Sequence, residues 1–256
     1  MKKYLIIANW KMTPNSSKEA TELLSATASA AKKIRNVKVV VCPPFVYLRL
    51  FSKNSKVGLG GQDVFWEEAG SYTGEISAKM LKSVGVQYVI IGHSERRRLG
   101  ETNEMINRKI KQAFKYGLKV IFCVGEFERD ESENYLQFVK EEVIKGLEQI
   151  SAKLFKNLIV AYEPIWAISS AKKFGKGFFH PDTPENAFQM STYIKRVIVS
   201  AFSKNAGSVP ILYGGSVDAK NAADFLVKGN VDGLLVGRTS WNAKEFGELL
   251  KNVNKI

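Results

Sequence analysis

Leu158-Ile159-Val160-Ala161-Tyr162-Glu163-Pro164-Ile165-Trp166 is an apolar run that ends in one carboxylate and continues with a proline. Apolar residues fill both faces of the run, which predicts a strand buried on both sides, as in a parallel sheet. Glu163 stands where this strand ends. A carboxylate at that point is partly removed from water and can act as a base, or it can cap the strand end in a salt bridge. The rest of the chain has to decide between these two hypotheses.

Strand-like and helical patterns alternate along all 256 residues. The sequence predicts eight strands: Tyr4–Asn9, Val37–Cys42, Val57–Gln62, Tyr88–Gly92, Leu118–Val124, Leu158–Tyr162, Pro210–Tyr213 and Val231–Val236. The clearest predicted helices are Ser17–Lys33, Met105–Tyr116, Ser132–Ile150, Thr183–Phe202 and Asp218–Val227. We therefore predict one α/β domain over residues 1–256, a closed right-handed (β/α)8 TIM barrel, with an open doubly wound sheet as the alternative.

Composition narrows the class of protein. Cys42 and Cys123 are the only cysteines, and both lie in apolar runs, which is typical of reduced core thiols in a cytoplasmic protein without a metal site. The formal net charge is +13, but the basic residues are scattered along amphipathic segments. Such scattering indicates solvated helix faces, or steering of a small anion, more than binding to nucleic acid or membrane. The short apolar run at Leu5 predicts neither a signal peptide nor a membrane span.

Polar side chains gather at the predicted strand ends. Asn9 and Lys11 follow the first strand, His93 follows the fourth, and Glu163 follows the sixth. Each alone has a plain explanation, since a lone lysine is usually solvated and a lone histidine often caps a helix. In a parallel barrel, however, all carboxyl strand ends meet at one rim. The sequence therefore predicts that these four side chains lie together.

Glycines follow the seventh and eighth strands. Gly214 and Gly215 precede Ser216, and Gly237 precedes Arg238. Glycine pairs are common in loops, but in barrels these two loops form a recurring phosphate site, because free backbone N–H groups and a helix N-terminus favour an anion. A carboxylate facing hydrogen-bond donors beside an anion site suits removal of a proton α to a carbonyl. The predicted substrate is a small phosphorylated carbonyl compound.

Five motifs together resemble the triosephosphate isomerase family, and they occur in order along the whole chain. They are Asn9-Trp10-Lys11-Met12, Gly92-His93-Ser94-Glu95-Arg96-Arg97, Cys123-Val124-Gly125-Glu126, Ala161-Tyr162-Glu163-Pro164-Ile165-Trp166-Ala167-Ile168 and Tyr213-Gly214-Gly215-Ser216. The resemblance implies an enzyme that interconverts dihydroxyacetone phosphate and D-glyceraldehyde 3-phosphate in glycolysis and gluconeogenesis, without a cofactor.

The resemblance also assigns roles to residues. It implies Glu163 as the base, His93 as a neutral electrophile, and Asn9 and Lys11 as the substrate-binding pair. Phosphate contacts are implied at four positions: Ser169, Ser216, Gly237 and Arg238. A homodimer is implied through the loop Gly70–Gly74. The rival hypothesis is a barrel without catalysis that binds a sugar phosphate, or RNA through its basic surface.

The chain departs from the family pattern in two places. After Ile168 the usual glycine-containing lid is replaced by Ser169-Ser170-Ala171-Lys172, followed by an insertion from Lys173 to Asp182. Its three phenylalanines predict packing over the barrel rim, and a disordered insertion is the alternative. Arg238 stands where the family usually has a second glycine. Neither departure changes the four residues that the resemblance places in catalysis.

Overall fold

A computed structural model describes residues 3–51, 56–129, 132–168 and 181–256. Its eight strands are all parallel and close into a barrel in sequence order, with β1 hydrogen-bonded to both β2 and β8. This confirms the barrel and excludes the open sheet. The strands are β1 Tyr4–Asn9, β2 Val37–Cys42, β3 Gly58–Gly61, β4 Tyr88–Ile91, β5 Lys119–Val124, β6 Leu158–Tyr162, β7 Ile211–Tyr213 and β8 Gly233–Val236.

The helices surround the barrel. They are α1 Ser17–Lys32, α2 Ala78–Ser83, α3 Ser94–Arg98, α4 Asn103–Lys115, α5 Asn134–Gly146, α6 Pro184–Ala201, α7 Ala222–Val227 and α8 Ala243–Val253. After β2 the predicted helical stretch is a 3-10 helix, Phe45–Leu50. Helix α6 begins at Pro184 because the Thr183 side chain accepts a hydrogen bond from the backbone N–H of Asn186 and Pro184 suits the first helical position.

Two helix bounds differ from the prediction by four residues, and the other bounds of the five predicted helices differ by two or fewer. Helix α7 begins at Ala222 instead of Asp218, because the Asp218 carboxylate accepts the backbone N–H groups of Lys220 and Asn221 and forms a turn there. Helix α5 ends at Gly146 instead of Ile150. The chain turns after Gly146, and Gln149 has a positive φ of 57°, outside the helical region.

The buried apolar side chains form two groups. The larger group fills the space between the strands and the helices. The smaller group fills the barrel interior and consists of Ile7, Val40, Cys42, Tyr88, Ile90, Ile121, Cys123, Ile159, Ala161, Leu212 and Leu235. Because strands alternate sides, each strand that supplies both groups is buried on both faces, as the apolar runs predicted. This filled interior is the rigid support for the loops at the carboxyl strand ends.

Gly60 tests how tightly the interior is packed. A Cβ atom on Gly60 would overlap Cys42 Sγ and contact Tyr88 and Val40. We expect Gly60→Ala to lower the free energy of unfolding by about 1–3 kcal/mol, because the overlap forces neighbouring strands apart. Adding Cys42→Ala removes the overlapping sulfur. Urea unfolding of the two single variants and the double variant measures the coupling, and strictly additive losses would contradict this account.

Candidate active site

A cavity of about 480 Å³ opens at the carboxyl ends of the strands. Seven of the eight predicted site residues line it: Asn9, Lys11, His93, Glu163, Ser216, Gly237 and Arg238. The eighth, Ser169, lies outside the described residues, as does the insertion from Lys173 up to His180. Pro181 and Asp182, which close that insertion, also line the cavity. The structure thus brings together residues from the ends of five strands, β1, β4, β6, β7 and β8.

Glu163 is held at the end of β6 by its backbone and its carboxylate. Its N–H donates to the carbonyl oxygen of Val124 at 2.8 Å, and its Oε2 accepts the backbone N–H of Ser94 at 3.1 Å. Gly125 allows this close approach, because any Cβ there would overlap the Glu163 carbonyl oxygen. The side chain is 2% exposed. Glu163 is therefore a buried carboxylate with a fixed direction, and the salt bridge that the sequence left open is not made to any Lys or Arg among the described residues.

His93 caps helix α3 and faces Glu163. Its Nδ1 accepts the backbone N–H of Glu95 at 3.1 Å, and its Nε2 lies 3.2 Å from Glu163 Oε1. A nitrogen that accepts an N–H carries a lone pair and no proton. The geometry therefore assigns the proton of a neutral imidazole to Nε2, where it faces the cavity. His93 therefore both caps a helix and lines the candidate active site.

Lys11 reaches the cavity from an unusual backbone conformation, with φ at 52°. Its N–H donates to Asn9 Oδ1 at 3.1 Å, and its carbonyl oxygen accepts the Gln62 side-chain amide at 2.8 Å. Its Nζ donates to Glu95 Oε1 at 2.6 Å. Burial alone would raise the pKa of Glu95, but the charge of Lys11 and the hydrogen bond from its Nζ outweigh it and leave that pKa below its ordinary value. Glu95 is thus an anion that fixes the ammonium group.

Ser216, Gly237 and Arg238 form the other end of the cavity. Ser216 Oγ donates to the Ala167 carbonyl oxygen at 2.8 Å, which ties the loop after β7 to the chain after β6. A short 3-10 helix, Arg238–Trp241, begins directly after Gly237. The start of this 3-10 helix lines the cavity, and so does Asn221, the residue that directly precedes α7. Unpaired N–H groups at such an end favour an anion.

A buried glutamate anchors the chain that leaves Glu163. Glu126 Oε1 accepts hydrogen bonds from Tyr162 Oη at 2.7 Å, Trp166 Nε1 at 2.9 Å and Arg129 Nε at 3.1 Å. Its carbonyl oxygen accepts the N–H of Ile165. These bonds hold the 3-10 turn Ile165–Ala167 against the barrel.

The sequence motifs assigned no role to Glu95, Gln62 or Glu126. Glu95 and Glu126 lie in the motifs quoted above, so their position at strand ends was the available signal. The two thiols play no part in the site chemistry, because burial raises the pKa of both Cys42 and Cys123 above the ordinary value and keeps them protonated. Within the described ranges, no cluster of three or more His, Cys, Asp or Glu side chains could hold a metal ion. None of the described helices is long and apolar enough to cross a membrane.

Comparisons with known proteins agree with this geometry. The profile of the triosephosphate isomerase family matches residues 4–253. The chain belongs to the triosephosphate isomerase family. It is 38% identical over 258 residues to the triosephosphate isomerase of Dictyoglomus turgidum, covering 98% of this chain and 100% of that protein. It is 40% identical over 259 residues to that of Carboxydothermus hydrogenoformans, covering 98% and 99%. It is 41% identical over 252 residues to that of Alkaliphilus oremlandii, covering 96% and 98%.

A buried contact between a glutamate and an arginine lies near Glu163. Glu142 Oε1 lies 3.1 Å from Arg97 Nη1, and its Oε2 accepts the N–H of Gly125 at 2.8 Å. Burial raises the pKa of Glu142 to about 7, against the opposing effect of Arg97. The folded protein therefore holds a proton on Glu142 at a pH where the unfolded chain has lost it. The stability from this group is present below about pH 4.5 and is lost as pH rises through about 7.

We therefore expect the parent to lose about 1–3 kcal/mol more unfolding free energy than Glu142→Gln does between pH 5 and pH 8. Glutamine cannot titrate and keeps an acceptor for Gly125. Urea unfolding at both pH values measures the difference. Glu141→Gln, an exposed change on the same helix, is the matched control and should follow the parent. Equal pH slopes for the parent and Glu142→Gln would show that Glu142 stays charged in the fold.

Proposed function

We propose that this chain interconverts dihydroxyacetone phosphate and D-glyceraldehyde 3-phosphate by proton transfer through an enediolate. Family membership supports the reaction. The observation that carries the assignment of roles is the placement of the Glu163 carboxylate within 3.2 Å of His93 Nε2, at one end of a cavity whose other end is lined by Ser216, Gly237 and Arg238. A small substrate with a carbonyl at one end and a phosphate at the other fits between them.

Glu163 is the base in this proposal. It removes a proton from the carbon beside the carbonyl and returns it to the neighbouring carbon, which converts ketose to aldose. The Ser94 N–H holds one carboxylate oxygen and fixes the direction of the other. That second oxygen faces His93 Nε2, and the reacting part of the substrate binds between these two groups. The pre-set direction avoids reorganisation during the reaction.

His93, Lys11 and Asn9 stabilise the negative charge of the enediolate. His93 presents Nε2–H to the substrate oxygens because the Glu95 N–H occupies Nδ1. Lys11 adds a positive charge whose position is fixed by Glu95, and Asn9, which is 5% exposed, adds an amide at the cavity wall. Fixed donors in a site shielded from water are worth several kcal/mol in the transition state. The His93 proton also serves the exchange between the two substrate oxygens.

The phosphate end consists of the loops around Ser216 and Gly237, with Arg238 at the rim. Their backbone N–H groups bind the phosphate dianion of the substrate. The guanidinium of Arg238 adds contacts to this phosphate that the usual glycine at this position cannot make. Ser169 would add one backbone N–H when the lid closes. The Glu126 bonds to Tyr162 and Trp166 support the leading hinge of that lid. Closure excludes water from the enediolate and limits loss of its phosphate.

We also propose a homodimer that works in the cytoplasm. The loops after β1 to β4, neighbours in the barrel, expose large apolar side chains: Met12 at 93%, Val46 at 80%, Leu99 at 80% and Tyr72 at 45%. Tyr72, in the loop Gly70–Gly74, packs only partly against Phe65 of its own chain, with ring centroids 4.8 Å apart. A row of exposed apolar residues on one side of the rim is typical of an interface between subunits.

The base assignment predicts that Glu163→Asp lowers kcat on the order of 100-fold, because a shorter side chain withdraws the carboxylate by about 1 Å. A coupled assay in both directions measures it. Glu185→Asp, an exposed change on α6, is the control and should stay within about twofold of the parent. Parent protein without turnover would instead support a barrel that only binds sugar phosphate, and near-parent activity of Glu163→Asp would show that another group takes the proton.

The Arg238 assignment predicts that Arg238→Gln raises KM about 3- to 10-fold with little change in kcat. A cation at the rim attracts the phosphate equally in the ground state and the transition state. Arg238→Lys keeps the positive charge, so its KM should lie between the KM of Arg238→Gln and that of the parent. The proposal fails if KM is unchanged, or if kcat falls as much as kcat/KM.

The dimer proposal predicts a mass in light scattering of about twice 28.6 kDa at micromolar concentration. Leu99→Asp should shift the mass towards the monomer, because it places a charge in the apolar contact. Val227→Asp, at a side chain that is 57% exposed on α7, is the control and should not change the mass. A fully active monomeric parent would contradict the proposal.

A further inference from the structure

The opposite end of the barrel holds a second cavity, of about 440 Å³, at the amino-terminal ends of β1 to β4. Its polar lining consists of Lys3, Arg35, Lys38, Lys56 and Gln87, and we name it the basal cleft. The rest of its lining is aliphatic apart from Gly58. It shares no residue with the cavity around Glu163. The proposed isomerisation gives the basal cleft no role.

The charge of the basal cleft is entirely positive. Four cations line it and no carboxylate does. Among the described residues none of the four forms an ion pair, whereas Lys109 in the same chain contacts both Asp63 and Glu101. Residues 1–2 and 52–55, which adjoin Lys3 and Lys56 in the sequence, contain no Asp or Glu. Four unneutralised cations around one concavity repel each other, and a bound polyanion would remove that repulsion.

The backbone around the basal cleft is fixed. The N–H of Arg35 donates to Asn254 Oδ1 at 2.9 Å, and the N–H of Gln87 donates to the Leu59 carbonyl oxygen at 2.9 Å. Lys38 lies on β2, and its Nζ stands 5.4 Å from the centre of the buried Tyr88 ring. Arg35 and Lys38 therefore project from a fixed backbone, so an anion bound between them requires ordering of their side chains only.

We propose that the basal cleft binds a small oligophosphate anion. A single phosphate pairs with one or two cations, whereas a chain of three phosphates carries enough charge and length to reach four. The volume of about 440 Å³ is within the range of small-molecule sites. The same chemistry comes from free oligophosphate or from the phosphate chain of a nucleoside triphosphate, whose base would contact the aliphatic lining.

The test is calorimetric titration of the full chain with inorganic tripolyphosphate, in a magnesium-free buffer at low ionic strength. The titration is run first without and then with saturating sn-glycerol 3-phosphate, a substrate analogue without the carbonyl that occupies the cavity around Glu163. We expect one tripolyphosphate per chain. Arg35→Glu/Lys56→Glu should weaken it at least tenfold. Lys111→Glu/Lys140→Glu, at exposed positions on α4 and α5, lowers the net charge by the same four units and should stay within about twofold of the parent.

Thermal unfolding and isomerase turnover, unchanged in both double variants, show that the fold and the Glu163 cavity are intact. Equal weakening in both double variants would overturn the proposal in favour of unspecific charge. Loss of tripolyphosphate binding when glycerol 3-phosphate is added would assign the anion to the Glu163 cavity and overturn it too. Inorganic phosphate binding as tightly as tripolyphosphate would contradict the oligophosphate class. Tighter binding of ATP than of tripolyphosphate supports the nucleotide source, and equal binding supports the free chain.

Discussion

The site depends on the bonds that fix the Glu163 carboxylate among the ends of three neighbouring strands. The Glu163 N–H, directly after β6, donates to the carbonyl oxygen of Val124 in β5, and its carboxylate accepts the N–H of Ser94 after β4. Both contacts require β4, β5 and β6 to be neighbours with a shared register. A glycine at 125 lets the backbones approach. Without this arrangement the Glu163 carboxylate would not point at the substrate carbon. The hydrogen-bond donors opposite it would then have no enediolate to stabilise.

Three further glutamates surround the Glu163 carboxylate, and each contacts different partners. Glu95 neutralises part of the Lys11 charge and keeps the ammonium in place, while its backbone N–H occupies Nδ1 of His93. Glu142 contacts Arg97 near the site, and Glu126 collects three donors beside it. The site therefore holds four buried or half-buried glutamates, of which one faces His93 Nε2. Position relative to cations and N–H groups, rather than residue type, separates their roles.

The apolar runs predicted the barrel well, because a strand buried on both faces leaves a continuous pattern; β1, β2 and β6 have the predicted bounds. The sequence also predicted that the side chains at the strand ends lie together, and the structure has them in one cavity: Asn9, Lys11, His93 and Glu163. The pairing of Lys11 with Glu95 could not be predicted, because it joins residues 84 positions apart through side-chain geometry. The predicted start of α7 was wrong, because the Asp218 side chain accepts backbone N–H groups that a helix would use.

The central claim is that His93 is a neutral imidazole with its proton on Nε2, set by the hydrogen bond from the Glu95 N–H to Nδ1. Nitrogen-15 NMR of histidine-labelled protein at pH 7 tests it directly, since the chain has only two histidines and His180→Gln identifies the second signal. The account predicts one protonated nitrogen, Nε2, and an unprotonated Nδ1 in the free protein. An imidazolium, or a proton on Nδ1, would contradict it.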